Sequence, residues 1–254
     1  MAVATQLNTT RHTRFWEIDL LRTNAIVVMI VFHTLYLLSY FGIHYTNLHY
    51  LYWLWFAGGG GTFIFLAGVS LTIAHSRSKK FSPFLTRGLK IFAWGMGITL
   101  VTWIISKTDY VRFGVLHFFG ISFILGPFFL RFRYINLILG AALMAIGIYL
   151  LEQNVLVDFP WLLWLGLMPH HFHTLDYFPL LPWFGLFIMG MFFGKILYPQ
   201  GNRRFNIPEL NDPVISALTL PGRHPLVIYF AKLPIIIGVI FALYPDKIVP
   251  YFPF

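Results

Sequence analysis

The segment "RFWEIDLLRTNAIVVMIVFH", residues 14–33, places an acid, a base and an imidazole along one apolar run. At 100° per residue, Asp19, Arg22 and His33 fall within about 60° of one another on a helix, and Asp19 lies about 21 Å from His33 along its axis. Each such group costs several kcal/mol at membrane depth unless it is paired or wetted. Two readings are open. Asp19 and Arg22 pair at the inner interface while His33 hydrogen-bonds a backbone carbonyl, or the stripe faces a polar interior and does chemistry there.

Further candidates follow along the chain. His117 sits between Gly114 and Gly120 in "FGVLHFFG". In "PGRHPLVIYFAKLP", Arg223 and His224 precede Pro225, and Lys232 follows two turns later. Proline marks a helix start, so Arg223 and His224 stand near a helix N-terminus, suited to a phosphate or a lipid headgroup. A buried ammonium such as Lys232 needs a partner, a water-filled cavity or a route to the interface. "PHHFH" gathers His170, His171 and His173 with Asp176 as the nearest carboxylate, which reads as a surface cluster rather than a metal site. The absence of cysteine excludes disulfides, zinc-thiolate centres and thiol nucleophiles.

The elements that must position these residues are membrane spans. The 254-residue chain is 58% hydrophobic and only 11% charged, too apolar for a soluble globular domain. Seven segments have the length and apolarity to cross a bilayer: 20–41, 51–74, 84–105, 113–131, 134–151, 178–198 and 222–244. With the N-terminus inside, the inner loops and helix ends collect fourteen Lys and Arg, including Arg11, Arg14 and Arg22, against Lys107, Arg112 and Lys247 outside. The formal net charge of +9 therefore reads as topology and not as a nucleic-acid surface. The expectation is an all-α polytopic bundle of about seven transmembrane helices in a single domain, 1–254, with the N-terminus cytoplasmic and the C-terminus outside. The polar first 15 residues carry no removable signal pattern. The expected location is a multi-pass position in the cytoplasmic membrane of a prokaryote.

Histidines sort the opposite way from the basic residues. His44, His49, His170, His171 and His173 fall in outer loops, with Glu152, Asp158 and Asp176, and His117 lies at the outer end of the fourth span. Topology gives no reason for that asymmetry, which points to chemistry on the outer face. The connection 152–177 is too short and proline-interrupted to span, and Trp161 and Trp164 predict a short interfacial or capping helix there. Residues 198–213 read as a polar cytoplasmic loop. Gly58 to Gly61 disfavour a helix, so either close helix approach or an unwound turn lining a cavity must compensate.

Five stretches in order, "EIDLLRTNAIVVMIVFH", "FIFLAGVSL", "FGVLHFFGISFIL", "DYFPLLPWFGLFIMGMFFG" and "GRHPLVIYFAKLP", resemble the catalytic domain of the heparan-α-glucosaminide N-acetyltransferase family, within the wider transmembrane acyltransferase superfamily. The likeness runs from Arg14 to about Ile237. It implies an acetyl group passed from acetyl-CoA in the cytoplasm to an amine or hydroxyl of a sugar or glycolipid on the opposite face. It implies His44 and His33 as the catalytic pair, since an imidazole suits proton transfer or transient acyl carriage near neutral pH. His117 joins this catalytic set, and Asp176 would orient an imidazole or the acceptor. Arg22, Arg223 and His224 would hold the donor's phosphates at the inner mouth, with Asp19 beside them at the donor-binding end. Three positions depart from the family pattern: Thr23 stands where glycine is usual, Lys232 where a histidine is expected, and His33 where the sugar acetyltransferase has asparagine.

Other expected partners are membrane lipids, and a homodimer or larger membrane complex is compatible with the sequence. No metal is expected. The competing reading is a non-catalytic subunit of a larger membrane complex whose aromatics and histidines serve lipid, pigment or haem. A transporter is disfavoured by the lack of a recognisable inverted repeat.

Overall fold

The computed structural model describes residues 14–45, 47–210 and 212–249. The polar N-terminal residues, Arg11 among them, lie outside that set. Six helices among the described residues are long and apolar enough to cross a membrane. The protein is thus an all-α polytopic membrane protein, and its chain forms two compact units, residues 1–45 with 208–254, and 46–207.

The first unit joins the two ends of the sequence. Helix α1, Trp16–Tyr40, carries Glu17 and Asp19 in its first turn, where acids suit the helix dipole. It closes at Gly42, whose φ of +65° lets Phe41 N–H and Ile43 N–H reach the carbonyls of Leu37 and Leu38, each at 2.9 Å. The remaining helices of this unit come from the C-terminal end of the chain. Their core includes Phe41, Ile236, Ile240 and Ile248.

The second unit runs through α2 (Leu48–Leu54), a π-helical turn (Trp55–Gly60), α3 (Gly61–Arg77), α4 (Ser82–Ile105), α5 (Val115–Phe129), α6 (Tyr134–Glu152) and α7 (Leu180–Leu197). The C-terminal part of the first unit is α8 (Pro213–Arg223), α9 (Pro225–Leu243) and α10 (Pro245–Ile248). In the second unit α3 and α7 form the buried centre, while α4 and α6 turn most of their surface outward. Glycines set the spacing. A Cβ on Gly68 would collide with the Phe187 carbonyl across α3 and α7, and one on Gly185 would meet the Gly140 carbonyl across α7 and α6. Without a hydrophobic drive between helices in lipid, such close backbone approach is what holds them together.

Three expectations change here. The fourth segment is helical only over Val115–Phe129, about 22 Å at 1.5 Å per residue, less than the roughly 30 Å of hydrocarbon. It is enclosed by its own unit, with Phe118 and Ser122 fully buried, while Arg131 and Arg133 just beyond its C-terminal end are exposed. Residues 160–166 form successive tight turns and no interfacial helix, because Leu156–Val157 pairs in parallel with Met168–Pro169 and holds the connection's ends together. Finally, α8 precedes the last span, which starts at Pro225 and not at 222. Asp212 caps α8 by accepting from Val214 N–H at 2.6 Å, with Pro213 at the first helical position.

The four glycines take neither expected form alone. The chain stays helical but widens to a π-turn, in which Thr62 Oγ1 donates to the carbonyl of Ala57, five residues back, at 2.6 Å. A Cβ on Gly60 would overlap the Trp55 indole, which packs edge-on against Phe178 and Trp183.

Candidate functional site

In the first unit the charged stripe of α1 meets the junction of α8 and α9. Asp19 is 5% exposed. Arg22 Nη1 donates to its Oδ1 at 3.0 Å, and Arg223 Nε lies 3.7 Å from its Oδ2. Oδ2 and Nε are both buried and form an ion pair without a hydrogen bond. Two guanidiniums thus share one carboxylate. Both arginines remain partly exposed.

Thr23 explains its own departure from the family pattern. Its Oγ1 donates to the Asp19 carbonyl at 3.1 Å and accepts from Gly222 N–H at 2.9 Å, tying α1 to the end of α8. Gly222 is required at that contact, because a Cβ there would overlap the Asp19 carbonyl oxygen. His224 is exposed at the break between α8 and α9, where Pro225 restarts the helix.

Towards the other end of α1, His33 Nδ1 donates to the Met29 carbonyl at 2.7 Å, which is the carbonyl bond expected of it in the simpler reading. That bond fixes the tautomer with Nδ1 protonated and leaves Nε2 with its lone pair. The Phe32 ring stands edge-on to the imidazole at 5.2 Å. Lys232 interacts electrostatically with His33 and is 4% exposed, its Nζ lying 5.0 Å from the centre of the Tyr229 ring. Tyr229 lies one helical turn before Lys232, and only that spacing marks it in the sequence. His44 follows α1 with an exposed side chain, while its backbone is held by Leu38 O and by Ser39 Oγ, which donates to the His44 carbonyl at 2.9 Å.

The second unit brings His117 and Asp176 together at the start of α5. Asp176 Oδ2 accepts from Val115 N–H at 3.0 Å, and His117 Nδ1 accepts from Gly114 N–H at 3.2 Å. Because Nδ1 accepts, Nε2 carries the proton and points to Thr99 Oγ1 at 3.4 Å. Thr99 in turn donates to Val111 O at 2.7 Å. His117 is 2% exposed, packed face-on by Phe113 and edge-on by Phe92. Its hydrogen bonds are those of a helix cap. Asp176 is likewise held in a network with the loop before α5, through Phe178 N–H to Phe113 O at 2.9 Å and Thr174 Oγ1 to Tyr110 O at 2.9 Å.

The histidines of "PHHFH" are exposed, with His170 Nε2 3.5 Å from Asp158 Oδ1. Among the described residues no group of three or more His, Cys, Asp or Glu could hold a metal. The chain therefore presents an arginine pair shared between α1 and α8, with His33 on α1 and His44 just beyond it, in one unit, and a capped, aromatic-walled helix start in the other.

The family described as heparan-alpha-glucosaminide N-acetyltransferase, catalytic, matches residues 14–234. No curated protein and no solved structure matches the chain. The match spans the stripe of α1, the capped start of α5, the α3 and α7 core, and the α8–α9 junction up to Lys232. An integral membrane protein with this match over most of its length belongs to the heparan-α-glucosaminide N-acetyltransferase catalytic-domain family, a family of membrane acetyltransferases.

Proposed function

We propose that this protein moves an acetyl group from cytoplasmic acetyl-CoA to an amine or hydroxyl of an extracytoplasmic sugar or glycolipid. The observation that carries the reading is α1 itself, with the Asp19–Arg22–Arg223 cluster near one end and His33 and His44 toward and beyond the other. The two guanidiniums of that cluster, with the exposed His224, suit the phosphates of the donor. His33 Nε2, freed by the Met29 bond, is the nitrogen available to take a proton, and His44 adds a second, exposed imidazole.

In the transfer the acceptor's nitrogen or oxygen bonds to the acetyl carbon as the carbon–sulfur bond breaks. The acceptor's proton passes to an imidazole and then to the departing thiolate. An acyl-histidine intermediate would divide the same exchange into two steps. Asp176 and His117 serve this reading by fixing the start of α5 through their backbone hydrogen bonds. The expected setting is the cytoplasmic membrane of a prokaryote, among lipids and as a homodimer or part of a larger membrane complex.

The test is turnover by purified protein of radiolabelled acetyl-CoA with simple aminosugars. His44→Ala is expected to abolish turnover while leaving the unfolding midpoint unchanged. Wild-type protein that binds no CoA species overturns the proposal.

A further inference from the structure

Within the second unit, the end remote from the α5 cap holds a cavity of about 210 Å³. Thr72, His75, Ser76, Lys195, Tyr198 and Gln200 line it, together with Leu130. At about 30 Å³ per water this is room for a charged group and a few waters, and it is smaller than the pockets that enclose whole ligands. It therefore suits one functional group of a larger molecule.

Its polar lining contains an unspent donor or acceptor. His75 Nδ1 is buried without a hydrogen-bond partner. Lys195 Nζ donates to the carbonyls of Leu130 and Phe132, closing the end of α5, and an ammonium has a third N–H to give. Lys79 and Lys195 act electrostatically on His75, and Arg133 on Lys195.

The surrounding sequence has no compensating acid. Residues 76–90, 131–134 and 195–207 contain ten Lys and Arg and no Asp or Glu. Cytoplasmic orientation accounts for basic residues at this end, but not for a polar cavity with an unpartnered imidazole nitrogen. Three helix C-termini converge here, and their partial negative charge opposes an anion. That charge is largely spent within the protein. Lys195 covers the α5 carbonyls, Ser78 N–H bonds Ala74 O at 3.1 Å, and Tyr198 N–H bonds Gly194 O at 3.0 Å.

We infer that this cavity binds a phosphate ester, held by His75 Nδ1–H and the third N–H of Lys195. The ester belongs either to a cytoplasmic nucleotide or to an anionic phospholipid headgroup, which share this chemistry. The site is independent of the acetyl-transfer reading, and its test uses binding and not turnover.

Full-length protein in detergent is titrated calorimetrically with adenosine 3′,5′-bisphosphate and with inorganic phosphate. In parallel it is reconstituted in nanodiscs of mixed phosphatidylglycerol and phosphatidylcholine, and retained lipid is counted by native mass spectrometry. At least one phosphate source is expected to bind, and His75→Ala is expected to weaken it about tenfold or more. Where His75→Ala does not fold, His75→Leu removes the donor and keeps the packing against Phe84. Bisphosphate binding lost in the variant assigns a nucleotide, and phosphatidylglycerol retention lost in the variant assigns a lipid. Wild-type protein that takes up none of the probes, or variants that bind them as tightly as wild type, overturn the inference. Bisphosphate held only at Arg22 and Arg223 would give that second result.

Discussion

Thr23 and Gly222 are joined directly: Gly222 N–H donates to Thr23 Oγ1 at 2.9 Å, although 199 positions separate them in the sequence. The same hydroxyl donates to the Asp19 carbonyl, so one side chain links the buried carboxylate of α1 to the end of α8. Thr23→Val keeps the shape and removes both bonds, leaving the Gly222 N–H without its partner. The expected cost is about 2 kcal/mol, seen as a lower unfolding midpoint by tryptophan fluorescence, with Thr23→Ser close to wild type.

Removing the Asp19 carboxylate leaves Arg22 and Arg223 facing each other without their shared counter-charge. Asp19→Ala is expected to cost about 3 kcal/mol, since breaking a buried pair strands its partner. The double variant with Arg22→Met should recover part of that loss, because only one guanidinium then remains. A double-mutant cycle on unfolding midpoints measures the coupling, and strictly additive losses would contradict it.

Asp176 separates capping from chemistry. Asp176→Asn retains an oxygen to accept from Val115 N–H and is expected to keep nearly full stability and turnover. Asp176→Ala loses the cap and about 1 kcal/mol. Full inactivation by Asp176→Asn at unchanged stability would show that the carboxylate charge, and not the cap, is what the protein needs.

Two glycines in the spans predict opposite outcomes. Gly68→Ala drives a methyl into the Phe187 carbonyl and should cost about 2 kcal/mol or more through the parting of α3 from α7. Gly97→Ala on α4 meets nothing within 4 Å and should be neutral or slightly stabilising. Paired thermal unfolding curves in the same detergent decide both.

Burial pushes the Tyr177 phenol above its ordinary value of about 10, and its hydroxyl donates to Leu163 O at 2.8 Å. A raised folded-state value favours the protonated form. Its contribution to stability is therefore complete below pH 10 and is lost as the pH rises through the folded-state value. Ultraviolet titration should find Tyr177 ionising late, as the step that Tyr177→Phe removes, and the same variant should weaken the alkaline loss of stability.

The sequence determined six of the seven expected spans, the stripe on α1 and the family, because hydrophobic length, helical spacing and ordered motifs are local properties of the chain. The Asp19–Arg22 pair and the carbonyl bond of His33 are also local, at spacings of three and four residues, and were open to inspection as one of two readings. Two of the family-like stretches, "FIFLAGVSL" and "DYFPLLPWFGLFIMGMFFG", turn out to carry the glycine contacts between α3 and α7, so part of the resemblance records packing and not chemistry. Tertiary structure alone decided that Arg223 joins Asp19, that Thr23 reaches Gly222, and that Asp176 and His117 cap one helix. It alone placed His75 and Lys195 on one cavity. Each of those relations joins separate elements or depends on how a terminus is satisfied. Local periodicity says which face a residue occupies, while its partner depends on which helices pack against that face.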